Sequence, residues 1–343
     1  MKALNLHAVN DLRYEEVELP VRLPDEVTIK VKAVGICGSD IPRIFEKGTY
    51  RFPTIPGHEF SGVIIDADDK NLLHRHVTAF PLIPCGRCSF CQVGEYQLCD
   101  NYDYYGSRRD GGYAEFLNVK SCNTVFLPEQ LAFEAAAMCE PASVALHALR
   151  RGRMKAMDTL AIWGIGPIGL LLAKWGRIMG ARHIILVARD DVKVKFARKL
   201  GFRNAINSQL VDPVEYIYNL TDGKGADLCV EGTGSSVPLS ACLNSCKKSG
   251  TVVCMGNPSA GIELSQAAYW AILRKQLSLK GTWNSSFSRM QNDWQDTVLA
   301  MSSGNLDVMP LITHRFFLRD YREAFDMMRN KEIFSCKVMF VND

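Results

Sequence analysis

The sequence predicts an α/β protein of two domains, an irregular β-rich one and a doubly wound parallel sheet. Three observations support this. The chain has 343 residues, beyond the roughly 250–300 at which a single core stops growing. Its patterning changes near residue 150, from short alternating segments broken by Pro and Gly to a repeat of strand, helix and strand. Within the first part, Cys85, Cys88, Cys91 and Cys99 fall in one run, CGRCSFCQVGEYQLC.

In residues 1–150 the segment EVTIKVKAVG alternates as a half-buried strand does. Turn residues punctuate this region at Pro20, Pro24, Pro53, Pro56, Gly57, Pro81, Pro84, Gly111 and Gly112. The two-residue gaps in the cysteine run let successive thiolates turn inward on one loop toward a single tetrahedral ion, as a four-thiolate structural zinc site requires. Disulfides are the competing reading. Nothing at the amino terminus resembles a secretion signal, however, and twelve cysteines in a long enzyme-like chain fit a reducing compartment better. A helix is expected after Pro141 in PASVALHALRRGRMK, whose apolar residues recur at three- and four-residue steps. Arg150, Arg151, Arg153 and Lys155 then fall at its end, where cations meet the negative pole of the helix dipole, a reading preferred here over a phosphate site.

After residue 158 the segments TLAIW, GPIGLLLAKWGRIMG and HIILVA read as strand, helix and strand, and ADLCVEGTG, SGTVVCMG and QLSLKGTW extend the series. At the first of these turns lies GIGPIG, residues Gly164, Ile165, Gly166, Pro167, Ile168 and Gly169. Such a motif is weak alone. Following an apolar strand and opening a helix, it places backbone amides where they receive a pyrophosphate. The position that chooses between cofactors lies about twenty residues later, where an acid would bind the ribose hydroxyl of NAD. This chain has Ala188 at the strand end and Arg189 just beyond, which favours NADP(H) over NAD(H). The alternative leaves Asp190 on the ribose and Arg189 in solvent. From about residue 288 the pattern is mixed again and closes on SCKVMFV, a strand able to pair back onto the first domain.

Forty basic and 37 acidic residues give a formal charge of +3 and no sign of a nucleic-acid or membrane partner. No apolar run reaches membrane-spanning length, which leads us to expect a soluble cytoplasmic protein. A second set of metal-binding residue types is scattered through the first domain: Cys37 in GICGSD, His58 and Glu59 in PGHEFSG, and Glu140 in MCEPASV. Any one of these alone would more often be a buried thiol, a core histidine or a surface acid.

Taken together, GICGSD, GHEFSG, the cysteine run, DGGYAEF, CEPASVALHA, GIGPIG and LITHRF resemble, in order and across essentially the whole chain, the zinc-dependent medium-chain alcohol and polyol dehydrogenases. The resemblance implies a GroES-like catalytic domain from residues 1–150 and 288–343, with a Rossmann domain inserted at 151–287. It also implies two zinc ions per chain, one structural on the four cysteines and one catalytic on Cys37, His58 and Glu140, with Glu59 nearby. Glu140 is preferred over the adjacent Cys139 because Glu-Pro before a helix is similar to the sorbitol dehydrogenase branch, and carboxylate is an accepted zinc ligand. Ser39 matches the family hydroxyl that begins the proton relay. A homodimer or homotetramer is also implied.

The implied reaction is hydride transfer between a secondary alcohol and the nicotinamide, with the substrate hydroxyl on an open zinc position. Two features depart from the pattern. Pro42 stands where many relatives carry a relay histidine, and the segment IIDADDKNLLHRHV is shortened, its His74 and His76 being expected as turn residues and not ligands. CGSDIPRIFEKG, GSRRDGG and KGTWNSS resemble most the branch acting on hexitol phosphates, which makes Arg43, Arg108 and Arg109 candidate phosphate partners. An unphosphorylated polyol or vicinal diol oxidised with NAD is the alternative substrate reading. A non-catalytic, cofactor-binding family member is the alternative from another class, although such members lose the first-domain ligands that this chain keeps.

Overall fold

The computed structural model describes residues 1–330 and 332–342, and the chain forms two units. Met1–Ser143 and Ser286–Asp343 make the first and Val144–Ser285 the second. In the first, the eleven-residue strand Glu26–Ile36 is the organiser. It pairs antiparallel with Glu59–Asp66, with Phe116–Lys120 and with the closing strand Lys337–Val341, so the tail joins the sheet begun near the amino terminus. Ile312–Phe316, His76–Ala79 and Thr124–Phe126 complete seven strands. Leu4, Leu6, Ile29, Phe60, Phe325 and Phe340 fill the core beneath them. Tyr113 and Phe340 meet edge to face there, at 5.2 Å between ring centroids.

The second unit is a six-stranded parallel sheet. Its order is Ala205–Asn207, His183–Ala188, Thr159–Trp163, Ala226–Glu231, Cys246–Cys254 and Ser278–Gly281. Chain order reverses between Thr159–Trp163 and Ala226–Glu231, the crevice where doubly wound sheets bind ligands. Five of these strands are those read from the sequence. Ala205–Asn207 was not among them, because three residues are too few to show a period. Side chains set the helix starts: Asp190, Asp212 and Ser265 accept from backbone amides at the starts of Asp191–Lys199, Pro213–Leu220 and Gln266–Lys275. Among the described residues no helix is long and apolar enough to cross a membrane.

The helix expected after Pro141 starts slightly earlier and runs Cys139–Arg151. The division between the units falls inside it and not at its end. The reason is local packing: the Ser143 hydroxyl lies 3.1 Å from the hydroxyl of Thr297 and 3.4 Å from the Asp293 carbonyl, both in the first unit.

Helix Pro167–Ile178 begins at Gly166, with Pro167 in the first turn where its missing amide costs nothing. A β-carbon on Gly169 would lie 1.9 Å from the Gly164 carbonyl oxygen, so this close approach of helix to strand admits only glycine. Gly169→Ala is expected to cost about 1–3 kcal/mol by overpacking. Thermal denaturation should show a midpoint lowered by several degrees, with dinucleotide affinity reduced in parallel; an unchanged midpoint contradicts this account of the turn.

Candidate metal centre and cofactor loop

The cysteine loop is held by one helical turn, Ser89–Gln92, and a 3-10 turn, Tyr96–Leu98. The Cys88 and Cys91 sulfurs are 3.5 Å apart, those of Cys85 and Cys91 3.9 Å, and all four sulfurs lie within 4.8 Å of one another. Thiolates at 2.3 Å around a tetrahedral zinc stand roughly 3.8 Å apart, so the donor set fits that ion. Amides of Arg87 and Cys88 hold the Cys85 thiol down to about 6, a thiolate-favouring cradle. The more deeply placed Cys91 is pushed up to about 12, chiefly by burial. An ion held by all four thiolates would have no position left for a substrate.

The second cluster forms where two paired strands end. Cys37 follows strand Glu26–Ile36, and Glu59, paired with Gly35, opens strand Glu59–Asp66 directly after His58. Gly35 has to be small here, since a β-carbon would lie 2.1 Å from the Glu59 carboxylate. Metal-donor atoms of Cys37, His58 and Glu59 all lie within 4.8 Å of one another. Asp40 lies under this cluster, fully buried, accepting from the Cys37 amide at 3.1 Å, the Tyr113 hydroxyl at 2.7 Å and the Arg43 guanidinium at 2.9 Å. Its other near neighbour is His58 Nδ1, 3.5 Å away, a buried nitrogen without a hydrogen-bond partner. Ser39 donates to the Cys37 sulfur at 3.3 Å. In the metal-free protein burial pushes the Cys37 thiol up to about 11, with Glu59 and Asp40 adding to the effect. A thiol, an imidazole and a carboxylate converging within 4.8 Å, with a buried imidazole nitrogen left without a hydrogen-bond partner, make a fitting donor set for zinc.

The sequence reading missed Lys337. This buried lysine donates to Glu59 at 2.5 Å and to the Ile36 carbonyl at 3.2 Å. Burial opposes its charge, but Glu59 and Cys37 outweigh that and raise its pKa. The only signal for it was a single cation in the apolar run SCKVMFV.

Glu140, expected as the third ligand, stands outside the group of three; the acid inside it is Glu59. Glu140 is buried and its carboxylate takes the Tyr104 hydroxyl at 3.4 Å. Cys139 packs its thiol on Met301, 3.7 Å away, and acts as a core hydrophobe. His74 occupies a turn as expected, but His76, expected in a turn as well, opens strand His76–Ala79, where it pairs with Val63 and packs on Phe133 with ring centroids at 4.6 Å.

The three candidate arginines are in different situations. Arg43 is spent on Asp40, as above. Arg109 is paired with Asp103 at 2.7 Å and Glu26 at 3.6 Å, beside the Tyr105 ring. Arg108 alone of the three has no carboxylate partner among the described residues; its guanidinium lies 4.0 Å from the Tyr50 ring centroid and 4.7 Å from that of Tyr102. In the second unit, Gly164, Ile165, Gly166, Pro167, Ile168 and Gly169 form the strand-to-helix turn, and Ala188 ends the neighbouring strand. Asp190 is committed to the amide of Val192 at 2.7 Å as a helix cap, and Asp191 to Asn207 at 2.7 Å. Arg189 is exposed.

Residues 23–129 match the alcohol dehydrogenase GroES-like domain and residues 167–303 the zinc-binding dehydrogenase domain. Galactitol 1-phosphate 5-dehydrogenase of Escherichia coli K12 is 32% identical over 94% of this chain and 96% of its own. Sorbitol dehydrogenase of Bacillus subtilis is 29% identical over 95% and 93%. A zinc-binding dehydrogenase from Sinorhizobium meliloti 1021, solved bound to NADP, superposes with a TM-score of 0.91 at 28% identity over 99% of both chains. The chain belongs to the zinc-dependent medium-chain alcohol and polyol dehydrogenases.

The metal-free site has a pH signature. Burial first, then Glu59 and Cys37, push the Glu140 carboxyl up to about 8, with His58 opposing. A carboxyl whose folded pKa is raised stabilises the fold fully below its unfolded value, roughly 4.3, and that contribution is lost as pH rises toward 8. Chemical denaturation of metal-free protein should therefore show stability falling across that window relative to Glu140→Gln. Parallel pH profiles for the two proteins contradict the assignment.

Proposed function

We propose that this dehydrogenase transfers hydride between a secondary alcohol of a sugar-alcohol phosphate, resembling galactitol 1-phosphate, and NADP(H), giving a ketose phosphate. Cys85, Cys88, Cys91 and Cys99 would hold a structural zinc ion, and Cys37, His58 and Glu59, with Glu140 nearby, would hold a catalytic one. Bound zinc would supply Lewis acidity toward a substrate hydroxyl, and the nicotinamide would supply the hydride chemistry. Asp40 lies 3.5 Å from the His58 ring, Lys337 holds Glu59, and Ser39 stands beside Cys37 to pass on the hydroxyl proton. Pro42 cannot continue that relay, so the route onward would use the cofactor ribose, water or another side chain.

The observation that supports a phosphorylated substrate is Arg108, whose guanidinium lies against the Tyr50 and Tyr102 rings and has no carboxylate partner among the described residues. NADP is supported by Arg189, exposed beside Ala188, with Asp190 used elsewhere as a cap. The relative solved with NADP is consistent with that choice.

Initial rates with hexitol and pentitol phosphates, each beside its free polyol and with NADP or NAD, test both claims. Loss of a charged hydrogen bond is worth about 1.5–3 kcal/mol, so Arg108→Ala should cost roughly 10- to 100-fold in kcat/KM on phosphates and little on free polyols. Arg189→Ala should erode the preference for NADP. Equal rates on phosphorylated and free polyols overturn the substrate reading, and equal or better rates with NAD overturn the cofactor one.

A further inference from the structure

We propose that Tyr104 is a positioning residue that keeps Glu140 beside the Cys37, His58 and Glu59 group instead of within it, and so preserves an open coordination position for substrate. This rests on the reading of that group as a catalytic zinc site. The backbone of Tyr104 is fixed by the two-residue pairing of Asp103–Tyr104 with Leu82–Ile83, and its amide by the Asp103 carboxylate at 2.8 Å. Its carbonyl accepts from the amides of Arg108 at 3.0 Å and Arg109 at 3.2 Å, so the turn carrying Arg108 is built on this residue. Its ring lies between His58, 5.8 Å away, and Tyr102, 6.3 Å away. Its hydroxyl, a donor at neutral pH, is 3.4 Å from Glu140 Oε1.

Those contacts define a joint. One end of Tyr104 carries the candidate phosphate reader, the other restrains an acid next to the donor cluster, and the ring between them contacts His58 and Tyr102. An unrestrained Glu140 would have strong reason to join the metal: it is buried, negative when ionised, and next to Cys37, His58 and Glu59. With three protein ligands already present, a fourth closes the site in the manner of structural zinc, raising metal affinity and removing the place where substrate binds. A hydroxyl that claims one lone pair of Glu140 opposes this, as hydrogen bonds to carboxylates around metal sites generally set ligand orientation.

The test is a double-mutant cycle on zinc-loaded full-length protein. Zinc affinity is measured by competition with a chelator, alongside kcat and KM, for wild type, Tyr104→Phe, Glu140→Gln and the double variant. Tyr104→Phe is expected to tighten zinc at the Cys37 site roughly tenfold or more and to lower kcat by a similar factor. Both effects should vanish in the Glu140→Gln background. Tyr104→Leu, which also removes the hydroxyl, serves if the Phe variant does not fold and should show the same two effects. Unchanged or weaker zinc binding in Tyr104→Phe, or an effect that persists without Glu140, overturns the proposal. Failure of wild-type protein to hold zinc at Cys37 would instead overturn the underlying metal reading.

Discussion

The first unit's chemistry depends on one buried carboxylate. Asp40 has no exposure to solvent and takes hydrogen bonds from the Cys37 amide, the Tyr113 hydroxyl and Arg43, while lying against His58. Its charge is tolerable only because those donors converge on it. In return it ties together the end of strand Glu26–Ile36, the residue before strand Glu59–Asp66 and a tyrosine that packs edge to face on Phe340 in the closing strand. The donor cluster is therefore anchored to the core of the sheet and not merely presented on loops.

The two cysteine-containing groups differ in their donors. The loop offers four thiols, enough to fill every position of a tetrahedral ion. The Cys37 cluster has fewer donors, a mixed chemistry, and hydrogen-bonding partners around it, two cations and a neutral hydroxyl: Lys337 on Glu59, Arg43 on Asp40, and Tyr104 on Glu140. Such outer contacts orient the donors and tune their charge, and the same residue types without them would be ordinary core side chains.

Much of this was legible in the chain. The cysteine spacing, the glycine turn and five of six parallel strands were read from local pattern, since each depends on residues close in sequence. The short strand Ala205–Asn207 was not, nor was the position of the unit boundary inside helix Cys139–Arg151, which is set by Ser143 packing on residues about 150 positions away. The sequence reading preferred Glu140 as the third zinc ligand with Glu59 nearby, whereas the acid grouped with Cys37 and His58 in the structure is Glu59. What separates them is the pairing of Gly35 with Glu59 across two strands and the hydroxyl of Tyr104 on Glu140, contacts no motif encodes. Among the arginines, likewise, residue type could not tell that Arg43 and Arg109 are neutralised by nearby acids and Arg108 is not.

The central claim is that Cys37, His58 and the neighbouring acids hold a second, catalytic zinc apart from the one on the cysteine loop. Metal analysis of purified protein, paired with turnover on the same samples, tests it most directly. The account predicts two zinc ions per chain in the wild type, and one ion with no turnover in Cys37→Ala. A Cys37→Ala protein that retains both ions, or that still turns over, would contradict it.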